Sequence, residues 1–214
     1  MEASFWHEKW DKKEIAFHET KVNPILVGNL AKLELDEGAR LFLPLCGKTK
    51  DIAWLLSQGF QVVGAELSEV AIGELFEEMG VTPHIERHDA FSHFSVEGLD
   101  IYVGDIFTLS SAVIGAVDAI YDRAALVALP RPMRERYVQH LRKITHNVKQ
   151  LLVCFEYEQA LLPGPPFAVS EDEVRAHYAA YYELCVLQAK AIAGGLKGKV
   201  EAVEKVYLLR TLES

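Results

Sequence analysis

Residues 40–68, RLFLPLCGKTKDIAWLLSQGFQVVGAELS, read as one βαβ unit around which the rest of the chain is arranged. Residues 41–45 form an apolar run too short for a helix and suited to a strand buried on both faces. A turn follows at Cys46 and Gly47. Residues 48–58 then set Ile52, Leu55 and Leu56 on one helical face, which Gly59 closes. Residues 61–65 are a second β-rich run that delivers Glu66 at its carboxyl end. Parallel strands joined this way bind ligands beyond their carboxyl ends, and an acid about 20 residues after the glycine turn is the usual clamp for a ribose diol.

The turn has a single glycine, Gly47, followed by Lys48, with Pro44 inside the preceding strand. A pyrophosphate needs several bare backbone groups, so this turn argues against a dinucleotide and leaves room for a nucleoside without phosphates. A plain βαβ unit with a surface Glu66 accounts for the spacing equally well.

The chain has 214 residues, 50% hydrophobic and 25% charged, which suits one large α/β domain. Its net charge of -9 argues against a nucleic-acid partner. Cys46, Cys154 and Cys185 include no CxxC pair, so neither a disulfide framework nor a zinc site is expected, and the chain reads as reduced and cytoplasmic. No stretch is long enough to span a membrane, and the amino terminus does not read as a signal peptide.

Residues 4–15 can form a helix with Trp6 and Trp10 on one face. It is either a flap packed on the domain or a lid that stacks on a planar ligand, and composition favours the flap. Asn23 and Pro24 start a second helix, and Ser68 and Gly80 bound another. Residues 83–86 suggest a short strand, and residues 91–95 and 100–105 a hairpin whose second arm ends in Asp105. Residues 117–121 form a buried strand that runs into Asp122 and Arg123. Pro132 opens a helix, residues 149–157 form a long strand, and Ser170 with Glu173 makes a capping box. Two terminal strands, with no helix between them, should pair antiparallel. The count is about seven strands, mostly parallel with a reversed last strand, in a Rossmann-like sheet flanked by helices.

His84, His88, Asp89 and His93 are the densest metal-capable cluster, but their setting is that of a solvated loop and hairpin, and no metal is expected. No G-x-S-x-G elbow is present. Cys46 at a helix start is conceivable as a nucleophile but has no identifiable base. Arg123, at the end of a buried strand, either points a planar cation to the ligand edge or pairs with Asp122 or Glu66.

PLCGKTKDIAWLLSQGFQVVGAELS, IYDRAALVALP and LPGPPF together resemble the thiopurine S-methyltransferase family, here a bacterial member, and the likeness extends to the terminal KVYLL. The resemblance implies a single class I S-adenosylmethionine-dependent methyltransferase domain over residues 1–214, with residues 1–35 as a helical lid and 36–214 as the core. It implies that Trp10, the backbone at Leu45, Glu66 (ribose), Asp105 and Ile106 (adenine) and Arg123 bind the cofactor. Arg123 would lie between cofactor and acceptor, with Phe17, Pro166 and Phe167 on the acceptor side. The implied reaction is S-methylation of aromatic and heterocyclic thiols by a monomer acting on small molecules. Bacterial members are also associated with selenium and tellurium species. Residues 191–202 depart from the animal pattern. A non-catalytic nucleoside-binding module, or a methyltransferase for another small nucleophile, is the alternative.

Overall fold

The computed structural model describes residues 3–15 and 18–212. The chain divides into two compact units, with the break between Asp118 and Ala119.

The first unit contains α1 (Ala3–Asp11), α2 (Pro24–Asn29), β1 (Arg40–Pro44), α3 (Lys50–Ser57), β2 (Gln61–Glu66) and α4 (Glu69–Met79). It continues with β3 (His84–Arg87), β4 (Phe91–Val96), β5 (Leu99–Gly104) and the short α5 (Ser111–Ile114). Its strands lie in the order β3-β4-β5-β2-β1, with β1, β2 and β5 parallel. β2, the middle strand of the parallel three, is buried at every residue after Gln61, as a strand covered on both faces must be. Gly64 is needed there because a Cβ would fall 2.4 Å from the Ile101 side chain and 2.9 Å from the Cys46 sulfur. Arg40 ties the far end of β1 down. Its backbone N–H donates to Asp118 at 2.7 Å, and its guanidinium donates to Asp100 at 2.7 Å and to the Ile114 carbonyl.

The second unit contains β6 (Ala119–Asp122), α6 (Arg131–Thr145), β7 (Lys149–Tyr157), α7 (Glu171–Tyr178), β8 (Tyr182–Ala191) and β9 (Ala202–Thr211). Its strands lie in the order β6-β7-β9-β8. β6 and β7 are parallel, while β9 is antiparallel to both of its neighbours, so it is the one reversed strand of this unit. The two terminal runs therefore pair as expected, but the last strand inserts between β7 and β8 instead of adding at the edge.

The α/β class and the mostly parallel sheet agree with the sequence expectation. The count of seven does not, because the described residues contain nine strands. The additional pair is β3 and β4, which extend the ladder antiparallel beyond β5. The sequence marks the short run at 83–86, but all four residues of β3 are exposed, so no alternating apolar pattern places it in the sheet.

The capping box at α7 is half formed. The Ser170 hydroxyl accepts from the Glu173 N–H at 3.2 Å, but the Glu173 carboxylate turns to Arg134 on α6. That pair is bidentate, at 2.6 and 2.9 Å, and Arg134 also donates to the Leu129 carbonyl at 3.0 Å. Burial pushes the Glu173 carboxyl up, yet hydrogen bonds from His177 and Arg134 outweigh it and hold it at about 2. Its folded pKa lies below its ordinary value of 4.5, so the pair's stabilisation is complete above that value and is lost as pH falls towards about 2. Arg134→Met should cost about 3 kcal/mol at neutral pH, because it leaves the half-buried Glu173 carboxylate with only His177 as a partner. Urea denaturation at pH 7 and pH 3 checks this. The deficit should be smaller at pH 3, and an equal deficit at both would show that packing, not charge, is what Arg134 supplies.

Candidate active site

The carboxyl ends of β1, β2 and β5 lie side by side in the first unit, and most of the expected cofactor residues gather there. After β1 the chain turns sharply, with Leu45 at φ 47° and Gly47 at φ 52°. A left-handed leucine is costly, and such strain concentrates where a backbone must be presented to a ligand. The Cys46 N–H still donates to the Ala65 carbonyl at 2.9 Å, so the turn remains stitched to β2. Thr49 then caps α3 by accepting from the Asp51 N–H.

Glu66 closes the arrangement. Its residue is 6% exposed. One carboxylate oxygen accepts from the Gly47 N–H at 2.8 Å, and the other accepts from Leu67 and Ser68 N–H at 2.8 and 2.9 Å. A single side chain thus joins the β1–α3 turn to the β2–α4 turn. Burial pushes its pKa up, against the pull of the Ser68, Gly47 and Leu67 N–H groups and of His7. An ionised carboxylate can accept about four hydrogen bonds, so three leave capacity for about one more.

Trp10 of α1 is 3% exposed and lies against Gly47. A Cβ at that glycine would meet the indole at 3.0 Å. Trp6, expected on the same face, is only half-buried. On the neighbouring strand, Glu66 pairs with Val103, so Asp105 stands two residues beyond it. Asp105 is exposed and accepts from the Phe107 N–H at 3.0 Å, and Ile106 beside it is buried. Leu45, Glu66, Asp105, Ile106 and Trp10 are therefore all in the first unit. Cys46 is a poor nucleophile: its sulfur packs against Gly64, and burial, with Glu66 nearby, pushes its thiol well up.

The remaining candidates lie in the second unit. Arg123 follows β6 and is half-buried, next to Ala124 in the left-handed region at φ 62°. Asp122 is fully buried, accepting from the Leu126 N–H at 3.0 Å and the Tyr137 hydroxyl at 2.8 Å. The proline loop is tied down at several points. The Phe167 N–H donates to the Val127 carbonyl at 2.6 Å, the Tyr157 hydroxyl to the Pro166 carbonyl at 2.7 Å, and Lys197 to the Pro165 carbonyl at 2.7 Å. Lys197 belongs to the segment that departs from the animal pattern, so that segment contacts the proline loop directly. Phe17 lies outside the described residues. His84 of β3, His88 just after it and His93 of β4 approach Glu86, but among the described residues no group of three side chains is placed to hold a metal ion.

The family model of thiopurine S-methyltransferase matches residues 1–211. A thiopurine S-methyltransferase of Xanthobacter autotrophicus is 54% identical over 98% of this chain and 99% of its own. One from Teredinibacter turnerae is 50% identical over 98% and 97%. The chain belongs to the thiopurine S-methyltransferase family. Among solved structures, a Burkholderia thailandensis 1,6-didemethyltoxoflavin-N1-methyltransferase with bound S-adenosylhomocysteine superposes with TM-score 0.64 at 15% identity, covering 97% of this chain and 87% of that one. A Methanosarcina mazei S-adenosylmethionine-dependent methyltransferase gives 0.62 at 17%, covering 90% and 100%. At these identities the likeness is one of fold.

As a member of this family, the protein is an S-adenosylmethionine-dependent S-methyltransferase that acts on a small-molecule acceptor. The first unit fits that cofactor. A phosphate-free nucleoside does not require the missing glycine repeat, and acids stand at the ends of two adjacent strands, Glu66 and Asp105. The bare Gly47 turn faces an aromatic ring and leaves no room for a further side chain.

Of these contacts, the seat of Trp10 on Gly47 had no sequence signal beyond the glycine itself. Gly47→Ala should destabilise the protein by about 1–3 kcal/mol, from its left-handed backbone and the displaced indole. Hydrogen exchange across residues 4–15 should accelerate with it. Exchange unchanged from wild type would mean that Gly47 does not seat α1.

Proposed function

We propose that the acceptors are small aromatic and heterocyclic thiols, thiopurines among them, and that Glu66 holds the cofactor ribose. The observation that carries this reading is the buried Glu66 carboxylate at the end of β2, bonded into the Gly47 turn. Bound S-adenosylmethionine supplies a methyl carbon activated on a sulfonium, and overall a thiol yields a thioether, S-adenosylhomocysteine and a proton. The protein's task is then alignment of the reacting atoms, and a dedicated general base is not required. Glu66 has capacity for about one hydroxyl, so gripping both ribose hydroxyls would release one of its backbone N–H groups. Asp105 and Ile106 take the adenine side, the Leu45 backbone lines the methionine part, and α1 with Trp10 closes as a lid. Arg123, Phe17, Pro166 and Phe167 form the acceptor side.

The family match over residues 1–211 supports reading the two units as one methyltransferase domain, with residues 1–35 as lid and 36–214 as core. The net charge of -9 supports small-molecule over nucleic-acid partners in a cytoplasmic enzyme. We read it as a monomer, and light scattering giving twice the mass of the chain would replace that reading. The direct test of function is methyl transfer from labelled S-adenosylmethionine to 6-mercaptopurine, simple aromatic thiols, selenite and tellurite. Transfer to none of the thiols would overturn the proposal.

Glu66→Ala should weaken cofactor binding by about 2–3 kcal/mol, or roughly 30- to 150-fold. Calorimetry showing unchanged affinity would remove Glu66 from the site. In the wild type, exchange over residues 4–15 should slow when S-adenosylhomocysteine is added, and equal exchange would leave α1 a fixed flap.

Arg123 is read as favouring the acceptor thiolate, since a nearby cation lowers a thiol pKa. Arg123→Met should then reduce kcat most below the acceptor's own pKa, with the loss shrinking as pH rises and the thiolate forms unaided. The expected contribution is about 1–2 kcal/mol, because an open pocket screens the charge. A kcat deficit independent of pH at saturating cofactor would leave Arg123 a positioning role only.

A further inference from the structure

We propose that Asp122 is a positioning residue for the acceptor side: its buried carboxylate, backed by Tyr137, fixes the 123–127 turn that carries Arg123 and anchors the proline loop. The proposal rests on the acceptor-side reading of Arg123 given above.

The turn after β6 is unusual in needing support from within. Ala124 is left-handed without being glycine, and a 3-10 turn, Leu126–Ala128, begins almost at once. No side chain caps that turn from its first flanking residue, Ala125. Its leading N–H groups would be orphaned in the core, where an unsatisfied donor is costly. Asp122 supplies the acceptor from behind. One oxygen takes the Leu126 N–H at 3.0 Å, with Ala125 N–H contributing, and the other takes the Tyr137 hydroxyl at 2.8 Å. Tyr137 is fully buried on α6, so the carboxylate is held from a rigid element. Two residues on, the Val127 carbonyl accepts from the Phe167 N–H at 2.6 Å. Arg123 and the proline loop therefore hang from the same short turn, and one carboxylate sets both.

This arrangement gives the positioning a pH dependence. The groups facing Asp122 are Tyr137 from α6, Tyr178 from α7 and Cys154 from β7, all uncharged at neutral pH. Burial outweighs the hydrogen bonds from Leu126, Tyr137 and Ala125, and pushes Asp122 up to about 6. The backbone partners of the carboxylate can only donate, whereas the Tyr137 hydroxyl can also accept. On protonation the charge that strengthens the bonds from the Leu126 and Ala125 N–H groups is lost, and the turn is held less firmly. The sign follows: acceptor turnover should be full above about pH 6 and fall below it. The Tyr137 hydroxyl favours the ionised form, so its removal raises the Asp122 pKa further and carries the fall to higher pH.

The test measures kcat between pH 5 and 8 at saturating S-adenosylmethionine, with an electron-poor aromatic thiol that is ionised across that range. Saturation removes effects of Glu66 on cofactor binding, and the ionised acceptor removes the thiolate effect of Arg123. In the wild type an acid limb near pH 6 is expected. Tyr137→Phe should move it to higher pH, and Asp122→Asn should abolish it, leaving a flat kcat roughly tenfold below the wild-type plateau. Cofactor affinity should stay within about twofold in both. An acid limb unmoved in Tyr137→Phe, or retained in Asp122→Asn, overturns the proposal. So does a parallel loss of cofactor affinity and melting temperature in both variants, which would mark a purely structural role. Arg123→Met, assayed alongside with a thiol whose own pKa lies above this range, keeps the two readings apart: wild-type turnover of that un-ionised thiol overturns the role of Arg123, whereas an unmoved limb in Tyr137→Phe overturns that of Asp122.

Discussion

The three backbone N–H groups gathered by the Glu66 carboxylate are the constraint on which the carboxyl ends of β1 and β2 depend. Two tight turns leave consecutive parallel strands, and each would otherwise bury unsatisfied donors at the carboxyl edge of the sheet. One glutamate satisfies donors from both turns at 2.8–2.9 Å and fixes their separation. The left-handed Leu45, the bare Gly47 and the indole of Trp10 all rest on the geometry this bond network sets. Burying the carboxylate raises its pKa, so the group that orders both turns is also one whose charge burial opposes.

Much of this was legible in the chain. The βαβ unit follows from short apolar runs, one helical face and glycine stops, signals with direct physical causes. The acid at the second strand's end was visible from spacing alone. Its partners were not, because a backbone N–H leaves no mark in a sequence. The tryptophan pair shows the same limit. Helical spacing puts Trp6 and Trp10 on one face, but only contact with Gly47 decides that Trp10 is the buried one. The runs that form β3 and β4 are both visible in the sequence; what is not visible is that, exposed or half-buried as they are, they extend the same sheet, so the expected seven-stranded sheet falls two short. The capping box at Ser170 predicted the cap but not that a buried Arg134 outbids the helix N-terminus for Glu173.

Asp122 was read from the sequence only as a possible partner for its neighbour Arg123. Nothing in the string YDRAALVA says that its carboxylate turns inward. The clue is positional: an acid that ends a buried strand and precedes a tight turn must either reach water or meet the donors of the turn. With Ile120 and Tyr121 buried before it and Ala125 and Leu126 buried after it, water is not within reach.

Glu66 and Asp122 are therefore two instances of one solution. Each ends a parallel strand, each is buried, and each accepts the first free N–H groups of the segment that follows, Leu67 and Ser68 in one case and Ala125 and Leu126 in the other. Each also has a donor from elsewhere in its own unit, Gly47 or Tyr137. Burial raises both pKa values, outweighing the hydrogen bonds that each carboxylate accepts. The difference lies in the spare capacity. Glu66 sits at the open end of three strands and retains room for one more donor, so a ligand hydroxyl can join its network. Asp122 is enclosed by Tyr137, Tyr178 and Cys154 and can serve only the chain itself. An acid at the same kind of position keeps a spare lone pair in one unit and is spent wholly on the chain in the other, according to whether solvent can reach it.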